Sequence, residues 1–342
     1  MPPTTRSKAA TPKAKAAREE APAVAAAADP PFQVLTSAPP PWHSVAALGF
    51  TTAYFCHYLP SWQVIDEMAV SETFTQVVFP QYMSLQTLAL IRATIAVIIW
   101  ATTIQTVAGG GWVQATSYLP HSKLKQVKNN VTGYKTLTPF TSVSWNLLGV
   151  AFTLSSYICL QTVYPNALPA PTPTILRTAI LTWQVAAPNT LLVAAVVRYC
   201  IWPGVLRATG DTQELQSHRN KLMHNFNAVF ALSEIALLGH LPVRWSQVSL
   251  APLLGVWYVV CSWSTTAQWN LPQHGPQFIY FFLDTTLGAT TTIAILALLG
   301  ILLCFYALFV WAEQGLNWMD GAWPLHCLFV AVLSSAVMRF RD

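Results

Sequence analysis

Apolar residues gather into eight stretches along this chain, and nearly every charged residue falls in the connections between them. The clearest stretches are 85–108, 140–164, 176–202, 222–240, 248–268, 278–311 and 322–338; a weaker one, 43–59, precedes them. The hydrocarbon core of a bilayer is about 30 Å thick and takes about 20 helical residues to cross. Several stretches meet that length, and 278–311 exceeds it. Tilt, a break near Gly288 or Gly300, or extension beyond the bilayer would each accommodate the excess. In lipid only helices and closed barrels satisfy their own backbone groups. The stretches show none of the apolar–polar alternation of a barrel strand. The pattern predicts an all-α, polytopic transmembrane bundle of about eight spans over residues 43–338.

Composition narrows the class further. The 342 residues are 54% hydrophobic and only 9% charged, against about 25% charged in soluble domains. No connection is long enough to house a separate soluble enzyme. Many of the tryptophans, among them Trp42, Trp62, Trp112, Trp202, Trp245, Trp269, Trp311 and Trp323, stand at stretch edges, where aromatics favour the headgroup level. Five cysteines (Cys56, Cys159, Cys200, Cys261 and Cys304) lie inside stretches and Cys327 near the start of the last. None has a metal-type spacing, so they read as small apolar core residues. No cofactor or metal is expected. Residues 1–40 are low-complexity and Pro/Ala-rich with five basic side chains, a composition expected to stay disordered and to carry no signal peptide. The formal charge of +5 comes from this tail and the loops, so it predicts no nucleic-acid partner. The basic residues are suited to anionic headgroups or simply to solvent.

Charge placement gives an orientation. Trp42 and Trp62 bracket 43–59 at a spacing of about 30 Å of helix, with Pro41 suited to a helix start and Pro60 to an end. If this stretch spans with the N-terminus inside, one face collects Arg6, Lys8, Lys13, Lys15 and Arg18 of the tail and Lys123, Lys125, Lys128 and Lys135 of the second connection. Arg198, Arg207, Arg219, Lys221, Arg339 and Arg341 join them. The other face keeps only Arg177 and Arg244, with Asp66, Glu67, Glu72, Glu313 and Asp320. Both termini are then cytoplasmic. Without the first span the asymmetry is largely lost. One triplet runs against this orientation: Asn130-Val131-Thr132 is a glycosylation sequon on the inner side.

Ionisable residues inside a span are costly and mark function by default. Glu234 and Asp284 are acids well inside stretches, and Arg92 lies in another; either acid pairs with Arg92 or is protonated. Asn146, Gln184 and Asn189 are expected to bond neighbouring helices, and His57 and His240 to sit at interfaces. Helices 140–164, 222–240 and 278–311 are alternate members of the series, so their N-terminal ends share one face. Thr136, Thr138 and Thr141, then His224, then His274 stand at those ends. Glu234 and Asp284 are expected ~15 Å below the starts of their helices at 1.5 Å per residue. A threonine hydroxyl becomes a nucleophile only with a base in hydrogen-bond reach. Neutral imidazole is such a base near pH 7, and helix N-termini offer donors for the oxyanion.

Several motifs in order extend this reading. Gly133-Tyr134-Lys135-Thr136-Leu137-Thr138 resembles the Trp-Lys-Phe-Leu-Thr stretch of the androgen-induced and androgen-dependent TFPI-regulating family of membrane proteins. Leu222-Met223-His224 with Glu234 ten residues on resembles its Gly-Met-His helix. Leu176-Arg177 with Pro188, Val259-Val260-Cys261, Trp269-Asn270-Leu271-Pro272, Gly275-Pro276 and Phe281-Phe282 with Thr285-Thr286 are similar to later parts of that family. The resemblance covers about 85–311 and implies a six-helix core with one added helix at each end. It also implies a threonine hydrolase of fatty acid esters of hydroxy fatty acids, with Thr138 as nucleophile and His224 as its histidine. The chain departs from the family at Tyr134, Thr136, Pro139 and Lys221, which makes Thr136 a rival nucleophile and leaves the substrate open. Thr136, Glu234 and Asp284 are accessory candidates.

The expected function is therefore an integral-membrane carboxylic-ester hydrolase of lipids, in an endomembrane such as the endoplasmic reticulum or in the plasma membrane. Its partners are the lipid ester and the bilayer. The alternatives are an ion- or proton-coupled transporter using Glu234, Asp284 and Arg92, and a non-catalytic scaffold of the same fold. No inverted repeat marks a transporter.

Overall fold

The computed structural model describes residues 35–266, 275–319 and 322–341. Most of the disordered tail expected over 1–40, together with Trp269 to His274 and Asp320, lies outside the described residues. The molecule is mostly helical. Each apolar stretch carries a helix: α1 is Trp42–His57, α2 Leu85–Ala108 and α3 Phe140–Val163. Helix α4 runs without interruption through Pro173–Val196, Val197–Ile201 and Trp202–Thr209. Helix α5 joins His218–Lys221, Leu222–Phe226, Asn227–Ser233 and Glu234–Leu238. Helix α6 is Leu250–Ser264, α7 Ala289–Trp318 and α8 Trp323–Val337. Four of these helices (α2, α3, α4 through Arg207, and α7) are long and apolar enough to cross a membrane, while α8 is apolar but shorter.

Helix ends follow local chemistry. Ser84 and Thr172 accept hydrogen bonds from Thr87 N and Ile175 N, satisfying amides that the first turns of α2 and α4 leave open. Pro173 suits the first position of α4 because its missing N–H would have had no partner.

The stretch 278–311 does not form one helix. Phe281–Leu283 and Thr285–Leu287 are separate 3-10 turns, and the long helix starts only after Gly288. Gly288 has φ +59°, a left-handed conformation with little penalty for glycine. The break places Asp284 ahead of α7 rather than ~15 Å down it. At its other end α7 continues past residue 311 to Trp318. Two further differences concern the connections. Strands β1 (Trp112–Ala115) and β2 (Lys128–Val131) form an antiparallel hairpin in the otherwise helical chain. Two short helices, Trp62–Asp66 and Ser71–Thr75, occupy the segment before α2.

Helices α2 and α3 run in opposite directions. From α2 to α3, Gln86 bonds Tyr164, Trp100 bonds Thr153 and Thr103 bonds Asn146, the register of an antiparallel pair. At the start of α1, His43 and Ser44 meet Thr292 at the start of α7, so α1 and α7 are parallel. At one end of α5, Asn225 bonds the backbone of Arg339 beyond α8; at the other, Ala236 meets His326 near the start of α8.

The principal core collects Leu88, Trp145, Leu148, Phe152, Trp183, Ile235 and Phe309 from five of these helices. Inside it, Arg92 and Glu234 form a wholly buried ion pair. Arg92 Nε donates to Glu234 Oε2 at 3.0 Å, its Nη2 contacts Oε1, and its Nη1 reaches Phe74 O and Cys159 Sγ. Glu234, one of the two acids expected to seek Arg92, is thus its partner; Asp284 is not. Gly239 lies against this pair. A Cβ there would fall 1.9 Å from Arg92 Nη2 and 2.7 Å from Glu234 Oε1. Gly239→Ala is expected to lower stability by about 1–3 kcal/mol through overpacking, read as an earlier unfolding midpoint in detergent. An unchanged midpoint would contradict the packing argument.

A second ion pair joins α4 to the segment before α2. Arg177 Nε and Nη2 donate to Asp66 at 2.6 and 2.8 Å, and its guanidinium lies 5.1 Å over the Trp62 ring. The hydrogen bond from Arg177 holds the Asp66 carboxyl below its ordinary value. The folded state thus favours the carboxylate. Its contribution is full above the unfolded pKa of about 3.9 and fades as pH falls through the lower folded value. The midpoint difference between wild type and Asp66→Asn should be small, as for any exposed pair, but present near pH 6 and closing below about pH 3.9. A difference that ignores pH would reject the pair as its source.

Candidate functional site

Thr136 and Thr138 sit on the turn that leads into α3. Gly133, with φ +59°, opens a 3-10 turn over Gly133–Leu137, and Pro139 precedes the first residue of α3. Threonine hydroxyls in such turns bond nearby backbone oxygen. Thr136 Oγ1 donates to Gly133 O and Thr138 Oγ1 to Lys135 O, each at 2.7 Å. Thr136 is buried and Thr138 half-buried.

His224 comes from α5. That helix begins at His218, so His224 lies inside it rather than at its first residue, on the π-turn Leu222–Phe226. A π-turn carries one residue more than an α-turn and re-aims the side chains it holds; such turns recur at functional sites. His224 Nδ1 is buried and finds no hydrogen-bond partner among the described residues. Thr136 and Met223, the residue before His224, wall the same void together with Thr103, Thr106, Leu137, Ser142 and Asn146. Its volume of about 10 Å³ is near that of a single water site. The turn and the first part of α5 therefore meet at one end of the bundle. Thr136 faces that meeting point; the hydroxyl of Thr138 is turned to its own turn. Tyr134, Leu137 and Phe226 are exposed large apolar side chains flanking these residues.

The accessory candidates separate. Glu234 is engaged by Arg92, ~15 Å from His224 along α5. Asp284 caps the 3-10 turn Thr285–Leu287 through Thr286 N and Thr286 Oγ1 at 2.9 and 2.7 Å, and its other oxygen accepts from Ser122 Oγ at 2.5 Å. It pins the connection after α2 onto the segment before α7. Thr116 and Tyr118 strengthen that clamp at Phe278. Burial pushes the Tyr118 hydroxyl up to about 12, so it stays a neutral hydrogen-bonding group near pH 7. The buried amides act between elements: Asn146 accepts from Thr103, and Gln184 bonds Pro242 O, Arg244 N and the Tyr306 hydroxyl. Asn189 Nδ2 has no partner among the described residues.

At the opposite end of α5 lies a cavity of about 260 Å³ lined by Gln76, Val77, Val78, Phe79, His240, Leu316, Asn317 and His326. The sequence places His240 at an interface and gives no signal for His326, a lone histidine near the start of an apolar stretch. Their nearness depends on the short segment 76–79 and on α8 crossing α5, and no spacing in the chain signals either. Among the described residues no group of three or more His, Cys, Asp or Glu is arranged to hold a metal ion.

The chain matches no protein-family model, no curated protein and no solved structure.

Proposed function

We propose that this protein is a multipass membrane hydrolase of lipid carboxylic esters, with Thr138 as nucleophile and His224 as base. The observation that carries the reading is the meeting of the Gly133–Leu137 turn with the π-turn holding His224, whose Nδ1 is buried without a partner. The ordered motif resemblance over about 85–311 supports it from the sequence. In this reading all eight helices span, both termini are cytoplasmic, and the six helices α2 to α7 form the family-like core.

The reaction requires the Thr138 hydroxyl to leave Lys135 O and turn to the imidazole. Thr138 Oγ1 attacks the ester carbonyl carbon as its proton passes to His224. The tetrahedral intermediate collapses, the ester C–O bond breaks, and His224 returns the proton to the departing hydroxy fatty acid. Water then attacks the acyl-threonine, giving a proton to His224 that restores the Thr138 hydroxyl. The void beside Thr136 is too small for an acyl chain, so the ester arrives from the lipid side, across the surface of Tyr134, Leu137 and Phe226. Glu234 and Asp284 serve packing and loop attachment in this scheme.

The test is hydrolysis of a fatty acid ester of a hydroxy fatty acid by the full chain in detergent or nanodiscs. Thr138→Ala and His224→Ala should each abolish turnover while leaving the unfolding midpoint in place. Turnover that survives both substitutions would reject the assignment.

A further inference from the structure

We infer that the end of the bundle where α4, α5 and the chain beyond α8 meet is a binding surface for an anionic phospholipid, whose phosphate lies among Arg198, Arg339 and Arg341. This lipid is held and not cleaved, so the surface stands apart from the ester-hydrolysis reading.

The chain past α8 is laid across the two neighbouring helices. Asn225 of α5 bonds Arg339 twice, donating to its O at 2.8 Å and accepting from its N at 3.2 Å. The Arg339 guanidinium then lies 5.3 Å over the buried Trp202 ring of α4. Phe340 packs on Phe226 of α5 with ring centroids 6.0 Å apart. From α4, Arg198 Nη1 donates to Ser335 O and Met338 O, and the Tyr199 hydroxyl donates to Ala336 O. Ser335 and Ala336 stand in the last turn of α8, where carbonyls lack helical partners. These bonds bring Arg198 against Met338, the residue before Arg339, while Arg339 Nε donates to Arg341 O at 3.2 Å. No carboxylate among the described residues pairs with any of the three arginines. The acceptors they do have are neutral carbonyls, so the charge of the cluster is left uncompensated.

Depth and lining select the partner. Arg177 and Arg198 stand 21 residues apart on α4, ~31 Å along its axis at 1.5 Å per residue. That matches the hydrocarbon core of about 30 Å, so with Arg177 at one headgroup level Arg198 stands at the other. Guanidinium groups bind phosphate oxygens through paired N–H donors. The apolar half of the ligand has its own contacts beside the arginines: Phe226 and Phe340 are each 38% exposed and Tyr199 59%. A soluble phosphate would use the cations and leave these rings bare. A second copy of this chain would set its own cations against them, a like-charge juxtaposition that costs several kcal/mol. A zwitterionic lipid brings an ammonium that the cluster repels. An anionic phospholipid meets both halves of the surface, its phosphate on the guanidinium groups and its acyl chain on the rings.

The experiment is retention of added lipid by the full chain in a non-ionic detergent, counted by native mass spectrometry. Dioleoylphosphatidylglycerol should bind at least about tenfold more tightly than dioleoylphosphatidylcholine, since each cation near a lipid surface contributes about fivefold. Equal retention of the two would overturn the proposal without any variant. Arg339→Gln with Arg341→Gln should weaken phosphatidylglycerol binding about 25-fold. Arg339→Lys with Arg341→Lys keeps the charge and should stay within about threefold of wild type. Arg198 is kept in both because it also holds the end of α8. Wild-type retention by the Gln variant would overturn the proposal, and so would equal losses in the Lys and Gln variants, which would make the arginines structural. Lys123→Gln with Lys128→Gln removes two exposed cations from another connection and should cost less than about twofold through screened, long-range attraction. A loss as large as that of the arginine pair would replace the site by a diffuse field. Glycerol 3-phosphate should not displace the lipid; displacement at matching concentration would make a soluble phosphate ester the ligand and reject the lipid.

Discussion

Glu234→Ala is expected to destabilise the protein by about 3–5 kcal/mol, the usual result of removing one partner from a buried ion pair. The cause is the guanidinium left behind. Arg92 is wholly buried, and arginine cannot shed its proton to escape a low-dielectric site. Its other bonds, to Phe74 O and Cys159 Sγ, carry no compensating charge. The reverse change should be milder. Arg92→Met leaves a carboxyl that can take up a proton, and Phe74 O retains the Cys159 thiol at 3.1 Å; its cost should be about 1–3 kcal/mol, that of one unsatisfied polar group. Replacing both, Arg92→Met with Glu234→Leu, removes the charge problem altogether and should recover most of the loss. Unfolding midpoints of the three variants in one detergent measure the cycle. Equal losses from the two single variants would mean that the stranded charge is not the source.

Much of this architecture was legible in the chain because a bilayer imposes length and polarity on every segment it contains. The eight apolar stretches each carry a helix, and Arg92 pairs with Glu234, one of the two embedded acids that the sequence offers it. What escaped notice depends on single turns. Gly288 ends the run of 278–311 as one helix, and hydropathy alone did not choose between a break there, a break at Gly300 and a tilt. The π-turns of α5 are invisible to a 3.6-residue period, yet they decide where His224 and Glu234 point. The hairpin of Trp112–Ala115 with Lys128–Val131 lies in a connection that apolar periodicity does not describe. The His240–His326 cavity was hidden for a related reason: its residues come from four separate parts of the chain, and each taken alone is ordinary. Thr136 and Thr138 show the remaining gap, since sequence spacing favoured Thr138 while the void beside Met223 is lined by Thr136.

That gap is open to a kinetic cycle, and the effects should be large. On the proposed mechanism Thr138→Ala removes the only atom that forms the acyl bond, and His224→Ala removes the base that makes that atom nucleophilic. General-base assistance contributes about 10²–10⁴-fold, so kcat should fall at least that far in His224→Ala and further in Thr138→Ala. The two act as one unit, so the double variant should be no slower than Thr138→Ala alone, as for other nucleophile–base pairs. Multiplicative losses would instead assign the residues to separate tasks. Thr136→Ala separates the rivals. Its hydroxyl is buried and bonded to Gly133 O, so as a turn-stabilising group it should shift the unfolding midpoint and leave kcat within a few-fold of wild type. If Thr136→Ala abolishes turnover and Thr138→Ala does not, the nucleophile is the residue facing the void. The acyl chain then enters between α2, α3 and α5 rather than from the lipid side. Trapping the acyl-enzyme with a slowly turning ester and locating the modified threonine by mass spectrometry reads the same choice directly.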